Sequence, residues 1–436
     1  MIEGLQSFQN IFKVPELKRR VLMTLALLAA YRLGAHVPTP GIDSVALAEF
    51  FDQVQGTLLG MVDLFSGGNL RRLTVFALGI MPYISASIIL QLLTVVIPAL
   101  ERLAKEGEAG KKKITQYTRY GTIGLSLVQS FGIAVGLESM RSQGGAVLVP
   151  DPGWGFRLLT MLTLTTGTAL IMWLGEQISE KGIGNGISLI IFAGIVVRLP
   201  SAIVSSYTLI STGELSLFVF LGLIIMMVLV TAAVVVMQEG QRKIPVQYAK
   251  RVVGRRMYGG QSTHIPLRIN TAGVIPVIFA SSLILFPATL TRFIHHPWMQ
   301  YFSEALSPGH FTYTVLYCGL IIFFAYFYTA IVFNPVDLAD NMKKYGGFIP
   351  GVRPGKKTAE YIDRVLTRIT LPGAVFLALI SVLPDFLIQW FNTPFYFGGT
   401  SLLIVVGVAL DTVRQMESHL LMRNYEGFLR KKAKGA

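Results

Sequence analysis

The chain has 436 residues, of which 52% are hydrophobic and only 14% are charged. Soluble domains typically carry about 25% charged residues, so the charged surface is too sparse for a water-soluble enzyme, a coiled coil or a disordered chain. The 38 Lys and Arg residues exceed the 24 Asp and Glu residues, which gives a formal charge of +14. The composition indicates a basic polytopic membrane protein, and the single cysteine, Cys318, excludes a disulfide framework.

Ten apolar runs are long enough to cross a hydrocarbon core of about 30 Å as helices, which rise about 1.5 Å per residue. The runs are 21–37, 73–97, 120–138, 155–176, 184–205, 215–238, 269–291, 312–335, 369–391 and 396–415. The first run has the flanking charges of a signal peptide, but residues 1–20 precede it and Arg32 interrupts it, so we expect an uncleaved span. The sequence predicts an all-α polytopic membrane protein with ten transmembrane helices.

The Lys and Arg residues are distributed unevenly between the connecting segments. With an even number of spans, both termini lie on one side of the membrane, and most of the 38 basic residues fall in the segments on that side. The positive-inside rule then predicts that both termini are cytoplasmic. Residues 1–20 are expected to form a cytoplasmic N-terminal segment and residues 416–436 a basic cytoplasmic tail.

Two of the predicted cytoplasmic loops, 238–268 and 336–368, are much longer than ordinary connections of about 4–6 residues. One interpretation is topological, because basic residues near the membrane surface attract anionic lipids. The other is docking of a large anionic partner such as ribosomal RNA through phosphate contacts. Charge alone does not decide between them. The candidate docking residues are Lys250, Arg251, Arg255, Arg256, Arg353, Lys356 and Lys357.

The second and seventh spans share the pattern G-x-x-P-x-I-x-A-S, which begins at Gly79 in one and at Gly273 in the other. Because these spans are five apart, they cross the membrane in opposite directions. The sequence therefore predicts two pseudo-symmetric inverted five-helix halves, 21–210 and 211–415.

The shared pattern places Ile84 and Ile278 near mid-bilayer, and Pro82 and Pro276 are expected to kink the helices just before that depth. The nearby polar residues Ser87, Gln91, Ser281 and Ser282 lie on the same spans. The alternative is ordinary helix packing, since small and hydroxyl side chains line many membrane-helix interfaces. Almost no ionisable residue falls mid-span, which is typical of an apolar constriction and unusual for an ion-coupled transporter.

A short amphipathic run, residues 57–70, lies between the first two spans and contains the glycine pair Gly67 and Gly68 near its end. It is too short to cross the membrane, and the glycines are expected to end its helix. We expect a re-entrant or interfacial helix on the outer side, which either occludes a pore or caps the helix bundle.

Five runs of the sequence resemble the SecY family, the large subunit of the bacterial Sec translocon, and the likeness extends over essentially the whole chain. The first begins at Gly79 and ends at Leu93. The others are Lys181-Gly182-Ile183-Gly184-Asn185-Gly186-Ile187-Ser188, Gln261-Ser262-Thr263-His264-Ile265-Pro266-Leu267, Phe348-Ile349-Pro350-Gly351-Val352-Arg353-Pro354-Gly355 and Gly398-Gly399-Thr400-Ser401-Leu402-Leu403-Ile404.

The resemblance implies a protein-conducting channel in the bacterial plasma (inner) membrane. Such a channel passes unfolded preproteins and releases hydrophobic segments sideways into lipid between the second and seventh spans. By position, the resemblance implies a pore ring of Ile80, Ile84, Ile191, Ile278 and Ile404. It implies a plug, residues 57–68, that includes Leu58, Leu59, Met61, Val62, Leu64, Phe65, Gly67 and Gly68. The implied lateral gate carries Pro82, Ser87, Gln91, Pro276, Ser281 and Ser282.

The resemblance also implies partners. These are the small membrane subunits SecE and SecG, the SecA motor ATPase, the ribosome, preprotein signal sequences and membrane lipids. No cofactor is expected. The sequence contains no H-E-x-x-H or P-loop motif, and His295-His296 lacks a third metal ligand at a suitable spacing, so neither an enzyme nor a metal site is expected. A small-solute secondary transporter with inverted repeats and a poreless ribosome-binding scaffold are the alternatives.

Overall fold

The computed structural model describes residues 14–53, 63, 66–139, 147–213, 216–248, 251–253, 256–258, 262–290, 306, 310–391 and 399–434. These residues are mainly helical. In the first half of the chain the helices are α1 (Pro15–Gly34), α2 (Ser44–Gln53), α3 (Met81–Val96), α4 (Pro98–Lys105), α5 (Glu108–Ser139), α6 (Trp154–Lys181), α7 (Gly186–Val196) and α8 (Leu199–Ser211). In the second half they are α9 (Leu217–Glu239), α10 (Ile275–Leu290), α11 (Phe311–Val332), α12 (Pro335–Lys344), α13 (Lys356–Phe391) and α14 (Gly399–Lys434).

Helices occupy all ten predicted spans, which confirms a mainly helical membrane fold. Among the described residues, six helices are long and apolar enough to cross a membrane, and α3 with α4 makes up to seven if that bent pair is one span. The predicted count of ten is therefore not confirmed by length and composition. The apolar α9 is almost entirely exposed along its length, as expected for a helix that contacts lipid.

The second span becomes helical later than the sequence predicts. Residues 73–80 form turns except for Thr74, which bridges to Pro38. Leu73 and Gly79 have φ angles of 36° and 58°, which are incompatible with a continuous right-handed helix. Pro82 lies in the first turn of α3, where its missing N–H costs no helical hydrogen bond. The predicted interior kink at Pro82 is therefore wrong. Pro276 is likewise the second residue of α10.

The two long basic loops contain strands that the helical pattern does not predict. These are β1 (Gln241–Tyr248), β2 (Arg251–Val253), β3 (Arg256–Tyr258), β4 (Ser262–Arg268) and β5 (Gly347–Phe348). The strands β4, β1 and β5 form one antiparallel sheet in that order, and β2 pairs with β3. The β1 strand alternates buried Ile244 and Val246 with exposed neighbours, so one face packs and the other is solvated.

The chain divides into two compact units. The first comprises residues 1–208, 282–313 and 408–436, and the second comprises 209–281 and 314–407. In the first unit, α5 packs against α3 and α6, and α6 also packs against α1 and α7. In the second, the sheet packs on α12 and α13 through a cluster that includes Ile244, Leu267, Met342 and Ile362. The predicted halves 21–210 and 211–415 stay a prediction.

Gly167 in α6 marks a close approach between a helix and the backbone of another segment. A β-carbon at this position would lie 1.9 Å from the carbonyl oxygen of Val75. We therefore expect Gly167→Ala to destabilise the protein by about 1–3 kcal/mol through overpacking, measured as a lower Tm in detergent. Gly124→Ala in α5 is the matched control, because no atom lies within 4 Å of its added carbon. An equal Tm for the two variants would contradict this packing.

Candidate functional site

The two copies of the sequence pattern adopt the same local conformation. Gly79 and Gly273 have φ angles of 58° and 61°, a left-handed geometry that glycine adopts at little cost. Each glycine precedes the first residue of its helix by two positions, since α3 begins at Met81 and α10 at Ile275. The match therefore extends from sequence to backbone, which supports a common origin for the two segments.

All five isoleucines of the predicted pore ring are buried. Ile80, Ile84 and Ile191 belong to the first unit and are 3%, 4% and 2% exposed. The remaining two, Ile278 and Ile404, belong to the second unit and are 6% and 0% exposed. None has an ionisable side chain, so each contributes an apolar surface that cannot hydrate an ion.

Val274 is a residue that the sequence interpretation overlooked. In the repeated pattern it corresponds to Ile80, and it is 4% exposed. The N–H of Ile278 donates to the carbonyl of Val274 at 3.2 Å, as the N–H of Ile84 donates to that of Ile80 at 3.1 Å. Val274 packs closely on the last helix, because a β-carbon on Gly407 would lie 2.5 Å from its side chain. Aligning the two copies position by position identifies this residue.

Pro82 and Pro276 lie in the first turns of α3 and α10, and the other predicted gate residues lie further along the same two helices. Pro82, Pro276, Ser281 and Ser282 are buried, and Ser87 and Gln91 are partly buried. The Gln91 side-chain amide donates to the Ser87 hydroxyl at 3.4 Å, and the Ser282 hydroxyl lies 4.0 Å from the sulfur of Met81. The carbonyl oxygen of the Gln91 side chain is buried and accepts no hydrogen bond among the described residues.

Most of the predicted plug lies outside the described residues, namely Leu58, Leu59, Met61, Val62, Leu64 and Phe65. The described part is a tight turn. Gly67 and Gly68 have φ angles of 73° and 85°, and the Gly68 N–H donates to the carbonyl of Asp63 at 2.9 Å. This six-residue closure is the longer of the two hydrogen bonds of a Schellman motif, which ends helices. The rest of the predicted helix lies outside the described residues, and the helix stop at the glycine pair stays a prediction.

Within the described part of the chain, three ion pairs join residues that are distant in the sequence, and the sequence predicted none of them. Arg119 pairs with Glu176 at 2.7 Å beside a cavity of about 740 Å³, and Arg157 pairs with Glu138 at 2.6 Å. The third pair joins Asp63, beside the predicted plug turn, to Arg198, which follows α7. No short spacing rule links such residues, so only the assembled helices reveal the pairs.

The sheet brings the two basic loops together. Gln247 and Tyr248 of β1 pair with Phe348 and Gly347 of β5, so both loops belong to one folded element. Three of the predicted docking residues, Arg353, Lys356 and Lys357, are exposed next to it. Only the backbone is described for Arg251 and Arg256, which lie on β2 and β3, whereas Lys250 and Arg255 lie outside the described residues.

The described residues contain no group of three His, Cys, Asp or Glu side chains placed to bind a metal ion. His295 and His296 lie outside them.

Solved structures with the same fold define the class of protein. A structure described as that of a protein conducting channel aligns with a TM-score of 0.64 at 18% identity, over 92% of each chain. Sec61 in a canine ribosome-channel complex from the endoplasmic reticulum aligns with a TM-score of 0.60 at 17% identity, over 92% of each chain. A study of the SecY plug domain and the membrane seal provides a third match, with a TM-score of 0.60 at 19% identity over 92% of each chain. The fold is that of protein-conducting channels.

Sequence comparison identifies the family. The SecY family model matches residues 74–413. Protein translocase subunit SecY of Escherichia coli (strain K12) is 52% identical over 420 residues, which is 95% of this chain and 94% of the relative. The Aquifex aeolicus subunit is 48% identical over 422 residues, which is 97% and 98% of the two chains. The chain belongs to the SecY family, and the resemblance seen in the sequence is confirmed.

Proposed function

We propose that this chain is a protein-conducting channel, not an enzyme, which passes unfolded preproteins across the bacterial plasma membrane. The observation that carries the proposal is the full-length similarity, at about half identity, to relatives named protein translocase subunits. The buried apolar residues at the repeated positions add physical support, because a channel for polypeptides of any sequence needs a lining that binds none of them strongly.

In the proposed mechanism, the side chains of Ile80, Ile84, Ile191, Ile278 and Ile404 form a ring that seals the pore. Isoleucine offers no hydrogen bond to a passing chain, and an apolar constriction excludes water and ions. Residues 57–68 act as a plug on the outer side of this ring. The channel neither makes nor cleaves a covalent bond, so the free energy that moves a preprotein comes from a partner.

The proposed route into lipid runs between the second and seventh spans. Ser87, Gln91, Ser281 and Ser282, with Pro82 and Pro276 at the helix starts, form the lateral gate. Among the described residues the buried side-chain oxygen of Gln91 accepts no hydrogen bond, and an unsatisfied polar atom weakens the packing around it. A signal sequence leaves through the gate because its apolar residues gain about 0.8 kcal/mol per methylene on entering lipid.

We propose that both termini and the basic sheet face the cytoplasm, where the ribosome and the SecA motor dock. The asymmetric charge and the exposed Arg353, Lys356 and Lys357 support this orientation. The small subunits SecE and SecG would complete the assembly in the inner membrane. The inverted halves 21–210 and 211–415 would then move apart at the gate.

Reconstitution tests the proposed function directly. We expect the chain, incorporated into vesicles with SecE, SecG, SecA and ATP, to carry a secretory preprotein into a protease-protected compartment. Vesicles that contain the chain alone should show no saturable uptake of small solutes. Saturable uptake without preprotein transport would overturn the proposal and favour a secondary transporter.

A further inference from the structure

Arg198 and Asp63 form an ion pair at the turn that ends the predicted plug. The Asp63 side chain is 7% exposed and that of Arg198 is 33% exposed. The same carboxylate accepts the backbone N–H of Arg71 at 2.9 Å. Among the described residues, the partners of this buried carboxylate are one arginine and one amide, and the arginine supplies the compensating charge.

Arg198 also contacts the backbone of the turn. Its guanidinium donates to the Asp63 carbonyl at 3.3 Å, which is the same oxygen that the Gly68 N–H and the Ser66 hydroxyl reach. A β-carbon on Gly68 would lie 3.3 Å from the guanidinium. The Arg198 guanidinium thus contacts both the carboxylate of Asp63 and the backbone carbonyl of the same residue.

The rest of the turn is fixed to two helices. A β-carbon on Gly67 would lie 2.8 Å from the Cα atom of Gly194 in α7, so these two backbones touch. On the other side, the Asn69 amide donates to the Tyr31 hydroxyl of α1 at 3.2 Å and to the Ser66 carbonyl at 2.6 Å. The turn is therefore attached to α1 through neutral hydrogen bonds, contacts α7 at Gly194, and is joined by a charge pair to Arg198, just beyond the end of α7.

The strength of the ion pair, unlike that of the neutral contacts, depends strongly on whether water reaches it. Separating Asp63 from Arg198 in a dry site leaves two uncompensated charges, which is strongly unfavourable, whereas separation into water hydrates both. Helix α7, which the turn contacts at Gly194 and which ends two residues before Arg198, also carries Ile191. The turn therefore lies against the element that bears a proposed pore residue.

We propose that the Asp63–Arg198 ion pair holds the plug turn against α7 in the closed channel, and that hydration of the pair releases it. Arg198 is thus a positioning residue for the plug. The inference rests on the proposed channel function, and it concerns two residues that lie 135 positions apart.

A labelling experiment tests the attachment separately from transport. Cys318 is the only cysteine, so Cys318→Ser with Ser66→Cys gives a single reporter thiol at a site that is 1% exposed. In nanodiscs, Arg198→Gln should raise the rate of labelling by a membrane-impermeant maleimide by roughly tenfold or more, because it leaves the buried Asp63 carboxylate without its compensating charge. Arg198→Lys keeps the charge and should label close to the parent rate.

Arg157→Gln is the matched control, since it breaks the Arg157–Glu138 pair, which does not touch the turn. The double variant Asp63→Asn with Arg198→Gln should label more slowly than Arg198→Gln alone, because no unpaired charge remains. Parent-like labelling of a folded Arg198→Gln protein, or equal labelling of the Arg157→Gln control, would overturn the inference. Faster labelling without any rise in chloride leak from vesicles would support the attachment and count against the proposed seal.

Discussion

Replacing Ile84 and Ile278 together with asparagine is expected to make reconstituted vesicles leak ions. Both isoleucine side chains are buried. Each asparagine would place an amide in the proposed apolar ring, where it would bind water through hydrogen bonds. We expect the chloride conductance of the resting channel to rise by about tenfold, which corresponds to a barrier lower by about 1.4 kcal/mol. Dye or chloride efflux from vesicles of matched protein content measures this change.

The matched control replaces exposed neighbours on the same two helices. Ile89 and Leu283 are 45% and 41% exposed. Ile89→Asn with Leu283→Asn therefore introduces two amides as well, but on the exposed faces of the same helices. This control should leak no more than the parent. Unchanged conductance and unchanged preprotein transport in a folded Ile84→Asn, Ile278→Asn channel would show that these residues form no seal.

Reversing the charge of Arg353, Lys356 and Lys357 to glutamate is expected to weaken docking of the ribosome on the channel strongly. These side chains are exposed beside the three-stranded sheet, and a phosphate-rich partner would bind them mainly through its backbone charge. If all three contact phosphates, the slope of log affinity against log salt should fall by about 2. Co-sedimentation with ribosomes over a series of salt concentrations measures both quantities.

Lys112→Glu with Lys113→Glu provides a control for charge reversal at another place on the chain, because these residues lie at the start of α5, outside the sheet. We expect this pair to lower affinity only slightly and to leave the salt slope near that of the parent. Neither set of substitutions should change the resting ion leak. A scaffold without a pore would instead show no leak under any condition, including the Ile84→Asn, Ile278→Asn double variant.

The membrane-spanning helices were predictable because the bilayer imposes a uniform demand on length and hydropathy. Local breaks were less predictable. The apolar residues 73–80 were predicted to belong to a helical span. Leu73 and Gly79, however, adopt left-handed backbone conformations that composition does not reveal. The turn at Gly67 and Gly68 was more predictable, because glycine adopts left-handed conformations at little cost.

The strands were missed because their signal is short and interrupted. Ile244 and Val246 alternate with polar neighbours, but Pro245 separates them, and the partner strand carries Pro266 in the same way. The ion pair between Asp63 and Arg198 was missed for a different reason. It depends on how the turn packs against α7, and no pattern of spacing along the chain encodes that contact.

The sheet that joins the two basic loops has a mechanical consequence. Its central strand β1 follows α9 after a single residue, Gly240, whose carbonyl accepts the N–H of Ile269 at 2.9 Å and so closes the base of the β1–β4 ladder. The other edge, β5, leads through a short turn into α13. A force applied anywhere on this sheet is therefore shared between α9, α13 and the segment that enters α10. A partner needs only one point of attachment to load three helices at once.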